Sequence, residues 1–192
     1  MRSPPTHVAP SRSVLRAIPA LCALLVLLTA PFGARGDELT DADLLLRAGR
    51  SAQALEQVDQ YLAKNPGSMQ GRFLKGLILA EQNRENEAID VFIRLTQDNP
   101  EYAEPYNNLA VLYAARGNLE GARSALETAV RVNPKYITAQ ENLGDVYARL
   151  AAAAYERAAA LGAAGKVAQT KLKLSRELVA AGAGKAAAPA TR

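Results

Sequence analysis

The dipeptide Asn-Pro occurs three times, as Asn65-Pro66, Asn99-Pro100 and Asn133-Pro134, and successive copies are 34 residues apart. A fixed period of 34 is the repeat length of an array of helical hairpins, in which each unit buries its apolar face only by stacking on its neighbours. A chain built this way offers a binding surface, with no enclosed pocket for chemistry.

Other positions keep the same register. Ala54, Ala88 and Ala122 recur at 34, as do the small residues Gly76, Ala110 and Gly144, where two helices can approach closely. Leu109 matches Leu143, and Tyr113 matches Tyr147. Counting from the prolines gives units of about 35–68, 69–102 and 103–136, with a fourth, degenerate one at 137–161. Unit 103–136 carries Tyr106, Leu109, Ala110 and Tyr113, then Ala122, Leu126, Ala129 and Pro134, and so resembles the tetratricopeptide (TPR) repeat. Unit 69–102 keeps Gly76, Ala88, Phe92 and Pro100 but has Lys75 and Leu79 where the family favours leucine and an aromatic. The resemblance implies an all-α solenoid of stacked hairpins. The Ala-rich, Arg-rich composition is similar to that of small exported TPR proteins of proteobacteria.

Apolar residues at spacings of three and four, such as Leu109, Leu112 and Tyr113, give the helical period directly. Gly49 and the stretch Arg116-Gly117-Asn118 sit where the two helices of a unit must turn, and each Asn before Pro disfavours continuation of the helix. The fourth unit departs from this pattern. Ala151 to Ala154 replace its inter-helix turn with strong helix formers, so one long helix is expected from about Thr138 to Leu161. Gly162 and Gly165 then break it, a basic amphipathic helix over about 167–180 caps the stack, and 181–192 reads as a disordered Ala/Gly/Pro tail.

Residues 1–36 follow different rules. Arg2, Arg12 and Arg16 precede the apolar run Ala17 to Phe32, and Ala34-Arg35-Gly36 offers the small residues a signal peptidase reads. A signal peptide cleaved before Asp37 is expected, and with it a periplasmic location; the alternative is a leader retained as a membrane anchor. The leader holds four arginines and no acid, and the remainder carries 19 basic and 19 acidic residues. The overall pI of 9.3 therefore belongs to the leader and gives no reason to expect nucleic-acid binding. The remaining charge divides as +5 after Gly165 and −5 over 37–165.

Cys22 and His7 are the chain's only cysteine and histidine, and both lie in the leader. That removes Cys- or His-dependent triads, structural zinc sites and haem ligation from the mature chain, and no phosphate-binding glycine motif occurs. Carboxylate pairs such as Glu85 with Glu87 fall at expected helix starts, where they meet the helix dipole. No enzyme activity, cofactor or metal is expected. In TPR proteins the ligand lies along the concave face formed by the first helix of each unit. Carried to this sequence, the resemblance marks Phe73, Leu77, Asn107, Asn108, Val111, Glu141, Asn142 and Asp145 as a peptide groove grading from apolar to acidic. Asn108 and Asn142, equivalent positions 34 apart, are expected to bond a peptide backbone. The expected partner is a protein or peptide of the cell envelope, with an apolar anchor followed by a basic residue.

Overall fold

The computed structural model describes residues 38–161 and 165–183; the expected signal peptide and the end of the expected tail lie outside the described residues. Among the described residues there are eight α-helices and no strand: α1 Glu38–Arg47, α2 Ser51–Lys64, α3 Met69–Glu81, α4 Glu85–Asp98, α5 Ala103–Ala115, α6 Leu119–Val132, α7 Ile137–Ala160 and α8 Lys166–Ala183. No helix of the described residues is long and apolar enough to cross a membrane.

The first six helices form three hairpins made with the same backbone chemistry. At the turn inside each hairpin one residue adopts the left-handed conformation: Gly49 (φ 73°), Asn83 (φ 58°) and Gly117 (φ 76°). Glycine reaches that region without penalty, and asparagine is the side chain that tolerates it best. The next residue closes the helix by donating its N–H back to it, as Arg50 does to the Leu45 carbonyl, Arg84 to Leu79 and Asn118 to Tyr113. Between hairpins, Asn65, Asn99 and Asn133 donate their N–H groups to the last helical turn and accept from Ser68, Tyr102 and Tyr136. The Asn-Pro period is thus a period in hydrogen bonding.

Packing follows the repeat. One cluster joins α1, α2 and α3 through Ala42, Ala54, Val58, Leu74 and Ile78. A second joins α3 and α4 to α5 around the fully buried Phe92, with Leu79, Ile89, Leu109 and Leu112. A third joins α5 and α6 to α7 through Ala110, Ala122, Leu126, Ala129, Ala139 and Val146. Every cluster straddles a boundary between units, so no hairpin has a core of its own. Gly76 shows how closely the helices approach: a Cβ there would fall 2.6 Å from the Phe92 ring.

The fourth unit has no second helix in the usual place. α7 runs unbroken for 24 residues, because position 151, which is 34 after Gly117, is an alanine inside the helix. Gly144, equivalent to Gly76 and Ala110, is exposed and has no atom within 4 Å of where its Cβ would be. Tyr147, equivalent to the packed Tyr113, is 47% exposed and donates its hydroxyl to Glu127. α8 returns along a different side of α7. Gly182 abuts the Asp145 carboxylate, Arg176 pairs with Glu156 at 2.8 Å, and the Lys171 ammonium lies over the Tyr155 ring. Residues 155 and 156 lie about three helical turns beyond 145, on the same side of α7.

Candidate functional site

The first-helix side of the array is built by α1, α3, α5 and α7, with α1 against α3 and α5 against α7. The structure places the eight sequence-marked residues in three different situations.

Phe73 and Leu77 belong to the core. Phe73 packs its ring 5.9 Å from Phe92 and 5.4 Å from Tyr102, and Leu77 is buried in the cluster around Phe92. The expected open apolar anchor at these two residues is therefore corrected: they lock α3 to α4 and to the start of α5. Val111, one turn beyond Asn107 on α5, is exposed on this side, at 37%.

The asparagines are already engaged. Asn107 is 1% exposed and accepts at Oδ1 from Asn142 Nδ2 at 2.8 Å, a bond that ties α5 to α7. Asn108 is buried and donates its Nδ2 to the Glu104 carbonyl of its own helix at 2.9 Å. Arg149 adds a second link between these helices by donating to the Ala114 carbonyl at 3.0 Å. The expectation of two solvated amides waiting for a peptide backbone is corrected accordingly. Both amides are part of the scaffold, since a buried polar group is held where a partner satisfies it.

The acidic residues separate as well. Glu141 is exposed near the start of α7. Asp145, one turn on, is half-buried beneath the end of α8, and a Cβ on Gly182 would come within 2.8 Å of its carboxylate. The expected groove therefore ends at α7, where α8 lies across the face that positions 145 and 148 share. Glu104 is half-buried on α5.

Sequence reasoning missed Tyr136. Its hydroxyl is buried without a hydrogen-bond partner. Burial first, then the neighbouring Glu104 and Tyr102, push its pKa up to about 12. It is equivalent to Tyr102, 34 residues earlier, and that recurrence was the available signal. The open part of the face thus includes Val111, with Glu104 seven residues before it on α5 and Glu141 on α7. Such a surface can hold an extended segment that presents an apolar side chain and a cation.

Two profiles of the tetratricopeptide repeat match, one over residues 39–103 and one over 79–150, and together they span more than half of the chain. Among curated proteins, the chain is similar to the probable biofilm formation methyltransferase WspC of Pseudomonas putida, 33% identical over 87 residues, 45% of this chain and 20% of that one. It is also similar to the probable UDP-N-acetylglucosamine–peptide N-acetylglucosaminyltransferase SPINDLY of Petunia hybrida, 28% identical over 110 residues, 57% of this chain and 12% of that one. The chain thus spans a fifth or less of the length of these relatives. Among solved structures, TTC0263, a thermophilic TPR protein of Thermus thermophilus, is 28% identical, with 80% of this chain and 90% of that one covered and a TM-score of 0.56. YrrB, described as a TPR protein with an unusual peptide-binding site, is 25% identical, with 54% and 53% covered and a TM-score of 0.51. Period, hairpin geometry and these matches agree, and the chain belongs to the tetratricopeptide repeat family.

Proposed function

We propose that this chain is an adaptor of the cell envelope that holds an extended, basic segment of a partner protein on the first-helix side of α5 and α7. The observation that carries the reading is the surface around Val111, exposed on α5 with Glu104 on the same helix and Glu141 on α7, while its neighbours Asn107, Asn108 and Leu77 are consumed by packing. The likeness to YrrB, a peptide-binding repeat protein, supports a peptide as ligand. Repeats of this family act as scaffolds, and the half-buried and exposed carboxylates here suit ion pairing with a ligand better than proton transfer. The basic, apolar leader supports export.

The test is partner capture from envelope extract with the purified chain, followed by titration of the captured segment. Val111→Glu places a charge where the apolar anchor sits, and should weaken binding by about tenfold or more, since 1.4 kcal/mol is a factor of ten. Unchanged affinity with unchanged circular dichroism would place the partner elsewhere. N-terminal sequencing of the chain recovered from cells should begin at Asp37; Met1 would instead mean that the leader is retained.

A further inference from the structure

Among the described residues, two faces of the C-terminal helix pair have no helix packed on them, and they are complementary. On α7, Gly144, Tyr147 and Ala154 face the position that a second helix fills in every earlier unit, and all three are exposed. Gly76 meets Phe92 in that position and Ala110 packs in the cluster with Ala122, so the family's own geometry seats an apolar helix there. On α8, Val167, Leu174 and Leu178 are 69%, 54% and 63% exposed, and their spacing of seven and four places them on one stripe. α8 does not fill the empty position on its own α7; it packs on another face, with Gly182 against Asp145 and Arg176 paired with Glu156.

The angles between these faces decide what can. At 100° per residue, the open face of α7 and its α8-bearing face are about 110° apart, and the apolar stripe of α8 is about 100° from its α7-bearing face. Because α7 and α8 run antiparallel, the two rotations point both open faces to the same side of the pair. A twofold axis parallel to the helices then places α8 of a second copy on α7 of the first, and the reverse, making a square of four helices with antiparallel neighbours. Each copy supplies the same two surfaces, as a closed, isologous contact requires.

We infer that the chain forms a twofold dimer in which the apolar stripe of α8 fills the unoccupied second-helix position on α7 of a second copy. The contact lies on the opposite side of α7 from α5 and leaves the surface around Val111 open, so it stands or falls independently of the proposed ligand site.

The experiment is light scattering across a concentration series on protein purified from cells expressing the full chain, with Leu174→Glu and Ala154→Glu in parallel. Both substituted residues are exposed in a single copy, so circular dichroism should match the parent, and melting temperature should match it in dilute samples where the parent is dissociated. A parent of twice the chain mass, with dimer affinity weakened about 100-fold or more in each variant, is expected from losing both symmetry-related contacts at once. Mixing the two variants should recover a weaker heterodimer, because one of its two contacts is intact. A parent that stays monomeric at about 200 μM, a dissociation constant weaker than a thousandth molar being too loose for a seated helix pair, would overturn the inference. So would an Ala154→Glu variant that still dimerises, which would mean α8 stripes meeting each other. Cosedimentation of a monomeric parent with phosphatidylglycerol vesicles, lost in Leu174→Glu, would overturn it in favour of a lipid surface.

Discussion

Asn107 shows how one residue can be placed correctly on a helix and still be misread. Its position on the first-helix side follows from the 34-residue register, but register says nothing of whether a neighbouring side chain reaches it, and Asn142 does. The bond makes a direct prediction. Asn107→Ala leaves the Asn142 amide half-buried without its acceptor, so stability should fall by about 1–3 kcal/mol. Asn142→Ala should cost about as much by stranding Oδ1 of Asn107, and the double variant less than the sum, because the second change removes the group the first had orphaned. Additive losses in urea denaturation would mean that the pair is not coupled. Tyr136 gives a second test at this scale. Its folded pKa of about 12 lies above the ordinary value near 10, so the folded state keeps a proton that the unfolded chain gives up. Its contribution to stability is complete below pH 10 and is lost as pH rises through 12. Tyr136→Phe should flatten that part of a melting-temperature profile, and should cost little at neutral pH because the hydroxyl it removes has no partner.

The elements are set by their turns. Gly49, Asn83 and Gly117 occupy equivalent left-handed positions, and the fourth equivalent, Ala151, is helical and opens the alanine run 151–154 that carries α7 through the place of the turn. Gly117→Ala should destabilise by about 1 kcal/mol through the left-handed penalty. Asn83→Gly, at the same place one unit earlier, should be neutral or mildly stabilising. Chemical denaturation of the two variants checks the sign, and an equal loss in both would contradict the shared geometry. The long α7 was legible from this alanine run. The seat of α8 was not. Its outward stripe, Val167, Leu174 and Leu178, is more apolar than the inward one, on which the partly buried or buried Ala168, Leu172, Ser175, Val179 and Gly182 lie, so amphipathicity alone points the wrong face inward. Small residues win there because they let α8 approach α7 closely, and small side chains leave little trace in a hydrophobic pattern. The same limit applies to the site: the period places the marked residues on the first helices of the units, whereas the burial of Phe73 and Leu77 depends on contacts between units that no single helix encodes.

At the scale of the molecule, the three clusters chained across unit boundaries make stability a sum of local interfaces, with the ends supported on one side only. α3 to α6 have neighbours before and after them. α1 contributes one fully buried residue, Ala42, and among the described residues α8 leans on α7 alone. Among the described side chains of α8 only Ser175 is buried, and its hydroxyl is satisfied within its own helix by the Lys171 carbonyl, so α8 is held by close packing, the Arg176–Glu156 pair and the Lys171 ammonium over the Tyr155 ring. An exposed pair of that kind contributes about 0–1 kcal/mol. Amide hydrogen exchange should therefore be graded, slowest in α4, α5 and α6 and fastest in α8, because helices with few buried apolar contacts open without unfolding the rest. High salt should speed exchange in α8 by screening its ion pair, while leaving α5 unchanged. Uniform protection from α1 to α8 would mean that the array opens as one unit. A dilute sample and a concentrated one separate the remaining possibility, since a second copy seated against Leu174 and Leu178 would slow α8 and the exposed side of α7 at high concentration and nowhere else.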